Sequence, residues 1–270
     1  EYELTGDISK LRESNYWKSV ELSVMQSADM VYYPSEVEIE AIHKLHLEIP
    51  AKAITAYLWD EFEDKEETAE DFTKRKDLLF VGGFKHPPNA DAVKWFAKDI
   101  FPAIRKAIPD VRFLIAGSGA GEDILSLNSE ADGIKVLGFV TDEELNRLYK
   151  DTRITVVPLR YGAGVKGKVV EAIYKGSVIV TTSVGAEGIP DAEEVMTVTD
   201  NDPDSLYEHA AEEAKVFAEA VTDLYNDPKL CAERSRLCGS YIKKHYSLDA
   251  AWSVIAEDFE TDNAAKADNN

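Results

Sequence analysis

Cysteine is nearly absent: Cys231 and Cys238 are the only two in 270 residues, seven apart in a stretch patterned as helix. A chain so poor in cysteine carries no disulfide framework, and two thiols on one helix read as reduced packing residues of a cytosolic protein. Basic residues are also scarce, 30 against 51 acidic, for a formal net charge of -21. A surface of that sign repels polyanions, which excludes nucleic acid as a partner and disfavours direct binding to anionic lipid. No apolar run approaches the roughly 20 residues needed to span a bilayer. The acidic, polar start EYELTGDISKL has none of the features of a secretory signal. His43, His46, His86, His209 and His245 are scattered; His43 and His46 stand at i, i+3 but have no further ligands near them in the sequence, so no metal is expected. Nothing has the pattern of a nucleophile triad or of the carboxylate pair that hydrolyses glycosides. The expected location is the cytoplasm, with contact to the inner face of a membrane only through parts outside this chain.

What is present is a hydrophobic content of 44%, enough for a sizeable core. Residues 1–59 read as a small α/β fragment. A helix over 15–28 leads to a strand at Met30–Tyr33; Ser35 opens a helix through Ala41, Ile42 and Leu45, and a strand fits Ala53–Leu58. Residues 60–76 are dense in charge, with no hydrophobic period, and read as a solvated linker. From Asp77 the pattern becomes regular. Apolar runs at Leu78–Val81, Arg112–Ala116, Ile134–Leu137, Ile154–Val157 and Val178–Thr181 fit buried parallel strands, with helical patterns between them. Such repetition predicts a Rossmann-like, doubly wound parallel sheet with helices on both faces. This domain is expected over 77–262, ending in helices through Leu206, Ala210, Phe217 and Val221 and through Leu248, Trp252 and Phe259. A disordered polar tail is expected over 263–270.

In such sheets ligands sit beyond the carboxyl ends of the strands, which singles out the loops 82–89, 117–122, 138–142 and 158–168. The most informative is PLRYGAGVKGKVVE, residues 158–171. Gly162, Gly164 and Gly167 let the backbone approach a ligand, and the following helix offers unpaired N–H groups to an anion. Over 158–176 the cations Arg160, Lys166, Lys168 and Lys175 face the lone carboxylate of Glu171, a local reversal of the molecule's charge. That reversal suits a diphosphate, with Glu171 one turn further on to accept two ribose hydroxyls. The same run nearly fits the GxxxxGK phosphate motif of NTPases, but Val169 stands where Ser or Thr must hold magnesium. In LLFVGGFKHPPN, Gly82 and Gly83 permit close approach, Lys85 and His86 are candidate hydrogen-bond donors to phosphate, and Asn89 reads as the cap of the next helix. The glycines of FLIAGSGAGED, Gly117, Gly119 and Gly121, read as a structural turn at the pocket edge.

Taken together, LLFVGGFKHPPNADAVKWF, FPAIRKAIPDVRFLIAGSG, IKVLGFVTDEELNRLYK, PLRYGAGVKGKVVEA and VIVTTSVGAEGI resemble the C-terminal domain of glycosyltransferase family 4, retaining enzymes of the two-domain GT-B fold. The stretch ELSVMQSADMVYYPSEVEIEAI resembles the end of that family's N-terminal domain. The resemblance implies a nucleotide-diphosphate sugar as donor, no metal cofactor, and a glycan or lipid-linked acceptor bound with the missing N-terminal domain of the same protein. It implies that Glu171 holds the ribose, and that Lys166 with the Gly164–Val165 amides holds the diphosphate. Phe139 and Val140 would border the base, and Gly83, Lys85 and His86 would lie near the phosphates or sugar. Arg160 and Lys166 would neutralise the leaving diphosphate. The chain departs from the family at Ala163, where a second Glu is common, and at Gly83-Phe84-Lys85-His86, where an Arg and a later Lys are common. Alone, such a half is expected to bind nucleotide with little turnover. The alternatives are a non-catalytic interaction module of the same fold and, more remotely, a P-loop NTPase.

Overall fold

The computed structural model describes residues 6–45, 49–62, 66–201 and 209–267. His46, Leu206 and the charged residues 63–65 lie outside the described residues. Contacts divide the chain into two compact units, Glu1–Ala56 with Val254–Asn270, and Tyr57–Ser253.

In the first unit, α1 (Ile8–Gln26) starts at Asp7, whose carboxylate accepts from Ser9 N–H as a helix cap. It leads to β1 (Val31–Tyr33), α2 (Glu36–His43) and β2 (Ala51–Ala53). The strands pair in parallel, Val31 opposite Ala51 and Tyr33 opposite Ala53. The second strand therefore lies at 51–53 instead of the expected 53–58. Ile54 N–H still reaches the Tyr33 carbonyl at 2.8 Å, but Pro34 lacks the N–H that would extend the ladder. Met25, Ile42 and Ile49 form the small core of this unit.

The second unit holds the large core. Its elements are α3 (Ala69–Lys74), β3 (Leu78–Val81), α4 (Pro87–Trp95), α5 (Phe101–Ala107), β4 (Phe113–Ala116), α6 (Glu122–Leu125), β5 (Ile134–Gly138), α7 (Asp142–Asp151), β6 (Ile154–Val157), α8 (Gly167–Tyr174), β7 (Ile179–Thr182), α9 (Ser183–Ala186), β8 (Met196–Thr199), α10 (Ala210–Asn226) and α11 (Pro228–Tyr246). The last helix, α12, spans Leu248–Ala267 and continues through most of the stretch expected as a disordered tail.

The six strands form one parallel sheet in the order β5-β4-β3-β6-β7-β8. All four residues of β4, β6 and β7 are buried, as strands covered on both faces must be. The sixth strand, MTVT, has only its end residues buried. That weak pattern is why the apolar runs end at β7 in the sequence reading. Under the sheet, Phe96 packs at 4.5 Å from Phe113 and 6.0 Å from Phe217 between ring centroids, joining α10 to β4. Between α4 and α5 the helix widens to a π turn over Phe96–Ile100, where Phe101 N–H returns to the Phe96 carbonyl. Pro102 accounts for it, since it has no N–H for the turn below.

The described residues of the charged stretch 60–76, expected as a linker, are built into this unit. Thr68 and Asp71 form a reciprocal capping box at the start of α3, and Phe72 is completely buried. Trp59 stacks on Tyr174 with centroids 4.6 Å apart. One apolar residue on a six-residue helix leaves no period to detect, and the anchoring comes from elements far along the chain. Cys231 and Cys238 are both buried on α11 as thiols, and burial pushes the Cys231 thiol up to about 11.

Candidate functional site

The strand order decides where a ligand fits. The chain leaves β3 toward β4 and β5, then returns to β6 on the other side of β3. The loops after β3 and β6 therefore diverge in opposite directions and open a crevice at the carboxyl end of the sheet, the topological switch point.

The β3 loop is shaped by contact with the β4 loop. Gly117 has φ +150°, and a Cβ there would lie 1.9 Å from the Gly82 carbonyl oxygen. No other residue admits that crossing, so the glycines after β4 act as a structural turn supporting the first loop. Gly83, Lys85 and His86 are exposed on this loop. The stem of Lys85 lies against Gly119, its Cγ 3.0 Å from where a Cβ would project. His86, not Asn89, is the N-cap of α4, with Pro87 and Pro88 in the first turn. The two prolines have no N–H to cap and carry the helical φ already. Asn89 is thereby released to donate its amide to the Gly83 carbonyl at 2.8 Å, closing the loop on itself.

The β6 loop is the other wall. Gly162 and Gly164 take φ values of +127° and +78°, which only glycine adopts without strain. Gly162 lies against Pro88 of the β3 loop, 3.5 Å from a projected Cβ. Arg160 crosses the same gap at the root of the loop: its Nε donates to Asp91 Oδ2 at 2.9 Å and its Nη2 to Asp91 Oδ1, with the guanidinium 5.3 Å from the Trp95 ring centroid. Asn201 donates to the Arg160 carbonyl at 3.3 Å. The guanidinium expected to face a phosphate is thus engaged in a buried bidentate pair that ties the two loops together. Val165 is half-buried against the core.

Lys166 is the N-cap of α8, and its Nζ donates to Glu187 Oε2 at 2.9 Å and to the Gly164 carbonyl. Glu187 enters from the segment after α9 and has no signal in the sequence that would link it to Lys166. Two residues on, Lys168 donates to Asn89 Oδ1 and its Nζ lies 4.8 Å from the Phe80 ring centroid. Burial, and then the Lys166 ammonium, push Lys168 down to about 7. In the sequence Lys168 is one more local cation, with nothing to link it to Asn89 or Phe80.

Glu171 sits half-buried one turn into α8. Burial raises its carboxyl above the usual range, with Lys175 opposing and Asp142 reinforcing the shift. Asp142 opens α7 directly after the β5 loop, so the β5 and β6 loops converge on Glu171. Phe139 in that β5 loop is 77% exposed, and Val140 packs partly on the core. The glycines and cations that follow β3 and β6 thus lie at the switch point, while Phe139 belongs to the loop after β5 and Glu171 to α8. Among the described residues no group of three His, Cys, Asp or Glu side chains could hold a metal ion. No described helix is long and apolar enough to cross a membrane.

Residues 75–227 match the family described as Glycosyl transferases group 1. A Klebsiella pneumoniae protein described as an uncharacterized 44.6 kDa protein in the cps region is 34% identical over 116 residues, 41% of this chain and 30% of that protein. Among solved structures, TarM of S. aureus, in a complex described as containing fondaparinux, alpha-GlcNAc-glycerol and UDP, aligns with TM-score 0.65 at 14% identity, covering 86% of this chain and 44% of TarM. Sucrose-phosphate synthase from Thermosynechococcus elongatus aligns with TM-score 0.64 at 17% identity, over 92% of this chain and 61% of the synthase. HepE from Anabaena, in complex with UDP-glucose, gives 0.57 at 15% identity, over 87% and 64% respectively. This chain thus corresponds to about half of the proteins it resembles in fold, which is the α/β, Rossmann-like architecture of GT-B halves.

Proposed function

The chain belongs to the group 1 glycosyl transferases, and from that premise we propose that its second unit binds the donor of a retaining transferase acting on a glycan or lipid-linked acceptor. Transferases of this group use nucleotide-sugar donors. The observation that carries the reading is the cationic, glycine-lined loop between β6 and α8, placed at the switch point of a molecule otherwise strongly anionic.

The proposed roles follow from chemistry and position. Glu171 accepts hydrogen bonds from two ribose hydroxyls. Phe139 offers an exposed face for the base, bordered by Val140. The amides of Gly164 and Val165 and the ammonium of Lys166 meet the diphosphate, Gly162 leaves room for it, and Gly83, Lys85 and His86 close over the phosphates or sugar from the facing loop. Departure of the diphosphate builds negative charge on its oxygens. Fixed cations and N–H groups at the start of α8 lower that barrier without a metal. Lys166 must exchange Glu187 for phosphate, so the carboxylate returns the ammonium to a paired state once product leaves. Arg160 serves as a positioning residue, holding the root of the loop through Asp91. The relative from a cps region fits a role in polysaccharide assembly, and the thiol-poor, anionic chain fits the cytoplasm.

Isothermal titration of the chain with UDP, GDP, ADP and TDP tests the reading. Saturable binding of one of them, strengthened when the matching sugar is attached, is expected. Silence with all four would leave a non-catalytic module of the same fold.

A further inference from the structure

Two lysines flank Gly167 at the start of α8, and their surroundings are opposite. Lys166 has a carboxylate partner in Glu187. Among the described residues Lys168 has no ion-pair partner: its Nζ has one neutral acceptor, Asn89 Oδ1, and the face of the Phe80 ring. A Cβ on Gly82 would lie 3.0 Å from that Nζ, so the glycine at the end of β3 leaves the space the ammonium occupies. Phe80 is completely buried and Asn89 nearly so. The ammonium therefore stands at the carboxyl end of β3, against the start of α4, and among the described residues no carboxylate pairs with it.

We propose that Lys168 is a diphosphate-contacting residue of this site, the uncompensated cation that the donor's phosphates complete. The proposal rests on the donor-binding reading above. A partly buried ammonium held only by an amide and a ring is costly, and a purely structural role would be served by a neutral side chain over Phe80. Such unrelieved charge collects at functional sites. The charged group that acts on Lys168 is Lys166, on its own helix; β3 presents the Phe80 ring and the Gly82 backbone, and α4 the Asn89 amide, all neutral. With the ammonium pushed down to about 7, an arriving diphosphate should draw a proton onto it.

The test titrates wild type, K168Q and K168M with UDP, GDP, ADP and TDP, then with the monophosphate and nucleoside of the tightest binder. Both variants should lose at least about tenfold in diphosphate affinity, the scale of a charged hydrogen bond. Nucleoside affinity should hold within about twofold, and the melting temperature should stay level or rise. Equal losses for diphosphate and nucleoside, or unchanged diphosphate affinity, would overturn the assignment. Wild-type titrations at pH 8 in buffers of different ionisation enthalpy give a second readout: net proton uptake on binding is expected, and its absence refutes the proposal even where both variants fail to fold. If wild type binds none of the four nucleotides, the donor-binding reading falls and takes this one with it. If it binds and Lys168 proves indifferent, only this one falls.

Discussion

Two stretches of the chain, residues 66–76 with seven charged side chains and residues 158–176 with five, use most of that charge in opposite ways. On α3 the charges face outward. Lys74 and Glu70 pair at 3.1 Å with side chains 66% and 79% exposed, while a single ring, Phe72, points into the core. In the loop before α8 the charges are drawn in, Arg160 and Lys166 each keeping only 10% of their side-chain surface. The first arrangement costs little and gives little, because water screens both partners. The second removes cations from water where two loops part, and each must find an anion nearby or wait for one. Charge density alone therefore says nothing of purpose. What matters is whether the backbone beneath it lies on the outside of a packed helix or at the switch point of the sheet.

The sharpest way to break the comparison is at Phe72. If the charged stretch were a solvated linker, Phe72→Ala would be silent; as a core anchor it should cost about 3–5 kcal/mol in urea denaturation. Next is Glu171→Ala, which should weaken nucleotide-diphosphate binding by about 1.5–3 kcal/mol in calorimetry while leaving the melting temperature nearly unchanged; equal affinity would remove Glu171 from the ribose.

A third measurement uses pH. Burial and the neighbouring Lys166 ammonium depress Lys168 to about 7 from the usual lysine value of 10.5, so between those values the folded protein has released a proton that the unfolded chain keeps. Unfolding then takes up a proton, and stability should rise with pH across that window, by at most about 1.4 kcal/mol per pH unit, relative to Lys168→Met. Parallel stability profiles of the two proteins would show that Lys168 is an ordinary solvated lysine. The smallest effect belongs to the outward charges: Lys74→Ala should change stability by under about 0.5 kcal/mol, and that difference should vanish in high salt.

Much of the architecture is legible before any coordinates. The buried strands from Leu78 to Thr181 are written as apolar runs, and parallel pairing follows from the helices between them. The edge strand Met196–Thr199 escapes because half of its residues remain partly open, and α3 escapes because one phenylalanine makes no period. The candidate site is drawn in outline by the glycines and cations of 158–168. Its wiring is not: Lys166 meets Glu187 across 21 residues, Arg160 meets Asp91 across 69, and Lys168 meets Asn89 across 79.

The sequence by itself determined the class of fold, the loops that are candidates to receive an anion and the sign of the charge they carry, since periodicity, glycine and charge are properties of neighbouring residues. Only the tertiary structure decided which cations are paired with a carboxylate, as Arg160 and Lys166 are, and which, as Lys168, has neutral neighbours. That depends on strand order, because β3 and β6 lie side by side in the sheet while some 70 residues separate them in the chain, and an ion pair forms only between groups that the fold has brought within a few ångströms.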